Sequence, residues 1–590
     1  MSPAIPGVPS SGKSRPRCRR RVYACDTCYR KKIKCDGVLP KCDWCHHHSI
    51  ACTYTRNRDP SRPRMRRPPQ LRPSTPAADT NTSTDQETRD IPRKAYPATG
   101  PQAVAPHGFG NSICFAGQSL GNISGFDGLP VFSSSGIQWI KACTGEDVSF
   151  EWYRPGILST PANRRHNGNQ LASLPEIRTL RRRFERHQKS IFHQLFPVVN
   201  AECFEYTIRA AYSHELSEVS PGVTSAKACI FGFMALTSFL SGDPHENAII
   251  DADTYARDSH KLCSEAIDES ATLDTLQAFL MLCFCSQAVS GDILKMELLL
   301  CSAARYIFHL RGNISPASTN GDLFPAQTHV RNLFWIGFVL DKLICLRTGL
   351  QPHFDITSCD LTLPDTHGLT PSQQNPIAFH TLIRLCLVQF EIYRGLYCMS
   401  ALQQEDAELL ATIRRLDTAL EEWRSTVPVF STGPNCETAI LDFLFTIQYH
   451  YCMVAIHQTS SRCVAWALNQ DTRAAGSSLA ISISSSRSVL HNFLKMKPHL
   501  QGHYLTFYLP ELTVSTTHIF SNILMNPLDY HSKADLDLMR RSLRHVGDHI
   551  WQQAPALFIT QIRRVEKFMG DLQRLAECAF QKASRGRHQL

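Results

Sequence analysis

The chain has 590 residues, of which 43% are hydrophobic and 19% charged, a globular balance that excludes a wholly disordered polymer and allows several domains. Its net charge of +10 is uneven: residues 1–70 hold 17 Lys and Arg against 4 Asp and Glu, whereas the rest hold 45 against 48. Positive potential gathered at one end of a near-neutral body points to a polyanionic partner for that end.

Residues 1–24, rich in Pro, Ser and Arg, read as a basic disordered arm. Gly7 to Ser14 fits the phosphate loop G-x4-G-K-[ST], which works only between a strand and a helix. No strand fits before Gly7 and Pro16 spoils the helix, so the match is set aside. Lys13, Arg15, Arg17, Arg19, Arg20 and Arg21 read instead as a nuclear-import or DNA-backbone arm.

Six cysteines follow, Cys25, Cys28, Cys35, Cys42, Cys45 and Cys52, spaced C-x2-C-x6-C-x6-C-x2-C-x6-C. A shift of 17 positions maps the first three onto the last three, Asp26 onto Asp43 and Ile33 onto Ile50. Thiolates at i and i+3 reach one metal across a single helical turn, and a third comes from beyond it. Zinc takes four sulfurs in a tetrahedron. Three per half cannot complete two tetrahedra, but two ions each reach four when two thiolates are shared. An all-cysteine shell also excludes magnesium and calcium. The expectation is a six-cysteine cluster of two Zn2+. A disulfide knot needs an oxidising compartment, and no apolar leader precedes this segment.

The two halves differ in charge. The first arm carries Arg30, Lys31, Lys32 and Lys34; its counterpart carries His46, His47 and His48, which read as a solvated face. This segment, with KKIKCDG and with Pro40 two residues before Cys42, resembles the fungal binuclear zinc-cluster (Gal4-like) regulators. The resemblance implies that Cys25 and Cys42 bridge the ions and that a short helix enters the major groove. It implies Lys31 and Lys32 as base readers, since lysine donates to guanine O6 and N7. Arg30, Lys34 and Lys41 complete the implied DNA-binding set. The family's arginine after the second cysteine is Tyr29 here.

Residues 53–172 read as a linker, basic and proline-rich to about residue 72 and then rich in Pro, Ser, Thr, Asn and Gly. Proline recurs too often in residues 53–100 for the dimerisation coiled coil that many such regulators carry. The glycine-rich stretch 107–128 reads as a loop. Order is expected from Ser173, where Ser173-Leu-Pro-Glu176 fits a capping box and Leu180, Phe184, Ile191 and Leu195 follow at helical spacing. To residue 582, apolar helical stretches alternate with polar breaks, clearest over 226–241, 272–290, 293–311, 328–348, 376–400, 404–426, 437–467, 480–497, 504–525, 533–553 and 559–582. Residues 583–590 form a tail. No run of 18 uncharged apolar residues occurs, so no membrane span or membrane partner is expected.

Within the body, residues 331–364 resemble the middle homology region of the same regulators through Phe334, Trp335, Asp341, Lys342, Gly349, Pro352, Asp360, Leu363 and Pro364. Phe334, Trp335 and Phe338 share one helical face and should be core; Asp341 should pair or cap a turn. No HExxH, GxSxG or paired-carboxylate motif occurs, and no enzyme is expected. The fold class is then a small Zn2Cys6 domain of two short pseudo-symmetric helices plus a large all-α regulatory domain, joined by a disordered linker.

The resemblance implies a nuclear, sequence-specific regulator of RNA polymerase II genes that reads CGG-like triplets and activates a specific pathway or gene cluster. Its implied partners are double-stranded DNA, the transcription machinery or co-regulators, and a second copy through the helical domain. A cross-brace interaction module would use eight ligands in interleaved pairs, and a catalytic zinc would need an open position. The six-cysteine repeat fits neither.

Overall fold

The computed structural model describes residues 24–31, 35, 41, 42, 45, 50–54, 108–124, 128–148, 171–240, 251–315, 325–364, 376–430, 438–468, 473–496, 505–550 and 559–588. The chain divides into two compact units, residues 1–96 and 97–590. The first unit contains one described helix, α1 (Asp26–Arg30), and a core made of cysteine sulfur.

The second unit opens with a three-stranded antiparallel sheet in the order β1 (Gly108–Phe115), β2 (Gln118–Ser124), β3 (Pro130–Phe132), followed by α2 (Ser134–Thr144). This corrects the loop expected over 107–128 and the disorder expected of that part of the linker. Ala116 and Gly117 both have positive φ, 46° and 81°, which gives the tight turn a hairpin needs. Gly121 is obligatory: a Cβ there would stand 1.9 Å from the Val131 carbonyl oxygen. Glycines and a register break around Ile113 hide the strand alternation from the sequence. Phe115, Leu120 and Ile123 are nonetheless buried in the helical core.

The helices that follow are α3 (Ile177–Gln188), α4 (Ile191–Leu195), α5 (Ala201–Ser213), α6 (Val223–Leu240), α7 (Ala252–Glu265), α8 (Leu273–Ser290), α9 (Ile293–His309), α10 (Pro325–Thr348) and α11 (Pro376–Leu396). Then come α12 (Asp406–Ser425), α13 (Ala439–His457), α14 (Val464–Ala467), α15 (Arg473–Lys495), α16 (Leu505–Met525), α17 (Ser532–His545) and α18 (Ile559–His588). Most consecutive helices pack against one another, and nearly all of the unit's buried apolar residues join one large core. Every helical stretch expected from periodicity contains a helix, with residues 241, 437, 497, 504 and 551–553 of those stretches lying outside the described residues. The capping box is not: α3 starts after Glu176, whose side chain makes no cap bond, and Pro175 separates the start from Ser173. Helices α5 and α7 were not among the stretches read from sequence, and α15 begins earlier than read, because AAGSS carries little apolar signal.

Residues Ala439–Arg462 are long and apolar enough to cross a membrane by length and composition, contrary to expectation. Within the unit 67% of that window is buried, against α11, α12, α15 and α16, which is the place of a central core helix.

Phe334, Trp335 and Phe338 on α10 are fully buried, as their spacing predicts. Asp341 and Lys342, also buried, pair at 2.7 Å. Asp341 accepts the His353 and Phe354 amides at 2.9 and 3.2 Å, and Lys342 donates to the Phe354 carbonyl at 2.7 Å. The pair thus folds the turn after α10 back onto that helix. Arg331 does the same further on, donating to the carbonyls of Gly312, Asp360 and Thr362 and lying over Phe334 and Trp335. Arg331, Asp341 and Lys342 are therefore structural anchors of this segment.

Candidate metal centre and DNA-reading arm

Cys25 precedes α1 with extended backbone (φ −62°, ψ 160°), and its sulfur accepts the Cys28 amide at 3.4 Å. One helical turn therefore brings these two sulfurs to the same side. The other end of the segment closes on this helix: Asp26 N–H donates to the Thr53 carbonyl at 2.8 Å and Thr27 Oγ1 to the Ala51 carbonyl at 2.9 Å. The 17-residue repeat is visible in the hydrogen bonds. Cys25 N–H points to Cys35 Sγ at 3.5 Å, and Cys42 N–H to Cys52 Sγ at 3.4 Å.

The sulfurs form two sets of four, Cys25–Cys28–Cys35–Cys42 and Cys25–Cys42–Cys45–Cys52, each mutually within 4.8 Å. The two sets share Cys25 and Cys42. Sγ separations are 3.7 Å for Cys25–Cys42, 3.7 Å for Cys25–Cys45 and 3.6 Å for Cys28–Cys42. Two sulfurs on one tetrahedral zinc at 2.3 Å stand about 3.8 Å apart, whereas a disulfide would bring them to about 2.05 Å. All six are free thiols. The donor set and its spacing fit a thiophilic cation in each set.

Electrostatics favours the same conclusion. Cys25, Cys28, Cys42 and Cys45 have no exposed surface. Burial would push the Cys25 thiol up, but the Cys28 amide and the neighbouring thiols outweigh it and bring it down to about 6. Burial, reinforced by Cys25, pushes Cys28 up to about 12 and drives Cys42 and Cys45 upward as well. The thiols cannot all ionise together without positive charge among them, which divalent ions in the two sets would supply.

Tyr54 escaped the sequence reading. Its ring packs against the sulfur cluster, and its hydroxyl hydrogen-bonds the sulfurs of Cys35 and Cys52. Burial, then the charges of those two sulfurs, push the phenol well up, so it stays a donor. The only signal in the sequence is an aromatic residue two places past the last cysteine.

Of the DNA-binding set, Arg30 and Lys31 at the end of α1 and Lys41 are exposed. Lys32 and Lys34 lie outside the described residues, as do His46, His47, His48 and the arm residues Lys13, Arg15, Arg17, Arg19, Arg20 and Arg21. Tyr29, where the resemblance implies arginine, is 60% exposed beside them.

The body contains a serine–histidine–aspartate line. His457 Nδ1 lies 2.9 Å from Ser478 Oγ and His457 Nε2 lies 3.4 Å from Asp417 Oδ1. Ser478 is buried on α15 and shares its hydroxyl with the His457 carbonyl, so it bridges two helices where a nucleophile would need access.

Comparison with known proteins agrees with this geometry. Residues 23–61 match the family model of the fungal Zn(2)-Cys(6) binuclear cluster domain, and residues 187–425 that of the fungal specific transcription factor domain. The two matched domains are those of fungal Zn2Cys6 transcription factors, which are regulators and not enzymes. An ABC-transporter-regulating transcription factor of Aspergillus oryzae is 24% identical over 99% of this chain and 76% of its own length. Its namesake in Aspergillus fumigatus is 23% identical over the same shares. Among solved structures, the K. lactis CBF3 core is 11% identical with a TM-score of 0.43, covering 76% of this chain and 90% of that one.

Proposed function

We propose that residues 25–52 bind two Zn2+ through Cys25, Cys28, Cys35, Cys42, Cys45 and Cys52, with Cys25 and Cys42 bridging. The observation that carries this is the pair of four-sulfur sets sharing those two residues. The folded cluster presents α1 to the major groove of double-stranded DNA, where Lys31 and Lys32 read a CGG-like triplet. Arg30, Lys34 and Lys41 hold phosphates, and the arm from Lys13 to Arg21 adds affinity or nuclear import. The surplus of basic residues in 1–70 supports a nuclear, DNA-bound role.

The helical body regulates this activity, contacts the transcription machinery or co-regulators, and is where a second copy would join. Activation of a specific pathway or gene cluster is the regulatory outcome we favour. The Aspergillus relatives are named for ABC-transporter regulation, which makes transporter promoters the first to assay.

The test combines zinc content of the purified protein with selection from randomised duplexes. Two zinc ions per chain and enrichment of a CGG-type triplet support the reading. Zinc without enrichment would move the cluster to protein recognition, and one zinc per chain would remove the bridged arrangement. The Cys28→Ala variant should lose zinc and DNA binding together.

A further inference from the structure

Helix α18 has 30 residues and lies outside the domain matched over residues 187–425. One side of it is buried through Ile562, Val565, Phe568, Leu572, Leu575 and Ala579, and it packs against α2, α16 and α17. The other side carries a line of cations. At 3.6 residues per turn, Arg563, Lys567, Arg574 and Arg585 fall within about 40° of one another, and all four are exposed. Gly570 and Gln581 fill the positions between them.

The acidic residues of α18 lie off this line. Glu577 accepts from Arg540 on α17, and Glu566 stands against Gly547 in the turn that follows α17. Asp571 falls about 40° beyond the other edge. Among the described residues no carboxylate pairs with Arg574 or Arg585.

Helix energetics does not account for the pattern. Arg585 in the last turn suits the negative end of the helix dipole, but Arg563 and Lys567 stand toward the positive end, whose first turn has no acid. Arg563 and Lys567 are also four positions apart, where like charges repel. Nor is the charge general to the unit. Residues 532–590 hold 11 Lys and Arg against 6 Asp and Glu, whereas residues 97–531 hold 30 against 38. A cationic ridge thus stands on an otherwise anionic unit, which is the mark of a polyanionic partner.

From Arg563 to Arg585 the line runs about 33 Å at 1.5 Å per residue. One strand of duplex DNA presents a phosphate every 3.4 Å or so of helix axis, so the ridge can lie beside about ten. Three of its four cations are arginines, whose planar fork matches phosphate.

We propose that this ridge is a second, sequence-independent DNA contact that grips phosphates of the duplex whose triplet the cluster reads. The choice of DNA among polyanions rests on the reading of residues 25–52 given above. One chain carries both contacts, so a duplex held by either is concentrated before the other, and weak phosphate contacts suffice.

The test compares full-length protein with a variant carrying Arg563→Gln, Lys567→Gln, Arg574→Gln and Arg585→Gln. The probe is a duplex of about 40 bp, roughly four helical turns, with the selected triplet at its centre. Fluorescence anisotropy at about 100 mM salt should show about tenfold or more weaker binding by the variant, with triplet preference unchanged. Its log–log salt slope should be shallower by up to about 3.6, or 0.9 for each phosphate lost. A second variant, Arg563→Lys, Arg574→Lys and Arg585→Lys, keeps the charge and should keep the slope. The four glutamines placed in Cys28→Ala protein should weaken its residual DNA binding as well, which tests the ridge whether or not the cluster reads DNA. Unchanged affinity and slope in both backgrounds would overturn the proposal and leave the ridge to an acidic protein. A loss shared by the lysine variant would also overturn it, since charge would not be the cause.

Discussion

Cys28 and Cys42 are buried thiols whose protons are hard to remove, and metal binding must remove them. Zinc affinity should therefore fall as pH falls, most steeply near and below about 6, where Cys25 also takes up its proton. A competition titration against a chromophoric chelator between pH 8 and pH 5.5 checks this; a flat profile would mean that the thiols are not the ligands. Tyr54→Phe removes the donor to Cys35 and Cys52 while keeping the ring. It should leave zinc stoichiometry unchanged yet weaken retention by about 10–100-fold, read as faster loss to the same chelator. The cysteine spacing alone showed which thiols gather. It did not show Tyr54, because a hydroxyl's partner depends on how the chain returns after Cys52.

Among elements, α1 is short, and its worth lies in where it points its basic end. Lys32→Ala should cost about 1–3 kcal/mol at the preferred duplex with zinc content intact. Equal losses on preferred and random DNA would make Lys32 a phosphate contact. On α10 the Asp341–Lys342 pair is buried, and loss of one member leaves the other charged and stranded. Asp341→Ala should cost about 3–5 kcal/mol in urea unfolding of the body; a loss under about 1 kcal/mol would mean the pair is not buried in solution.

The long helices were legible because their apolar positions recur at helical spacing over four or more turns. The hairpin of β1 and β2 was not. Its glycines read as loop, and its burial comes from contacts with residues such as Ser461, whose carbonyl accepts from Gly117 N–H at 3.0 Å. Helix α7 was obscured in another way, since charged residues interrupt its narrow apolar face.

At the scale of the whole molecule, charge and fold divide the labour. Positive charge lies in the first 70 residues, so DNA binding should weaken steeply with salt, with a slope of about −0.9 in log–log form per phosphate contacted. A fluorescence-anisotropy series from 50 to 300 mM salt measures it, and near-zero slope would contradict a phosphate-gripping arm. The second unit is not simply a row of helices behind a linker. Its first described segment is tied to its last described helix, with the Lys582 ammonium on the Ala142 carbonyl at 2.8 Å across 440 residues.

That tie between segments so distant in sequence gives folding a late closing step. Joining points so far apart costs about 5 kcal/mol of chain entropy by the loop-closure relation, which the packing of α2 against α16 and α18 helps to offset. On the ribosome, α2 emerges long before α18 and cannot complete its seat until that helix is made. Chains cut short before α18 would therefore leave the face of α2 that meets α18 open to proteases that the finished protein excludes.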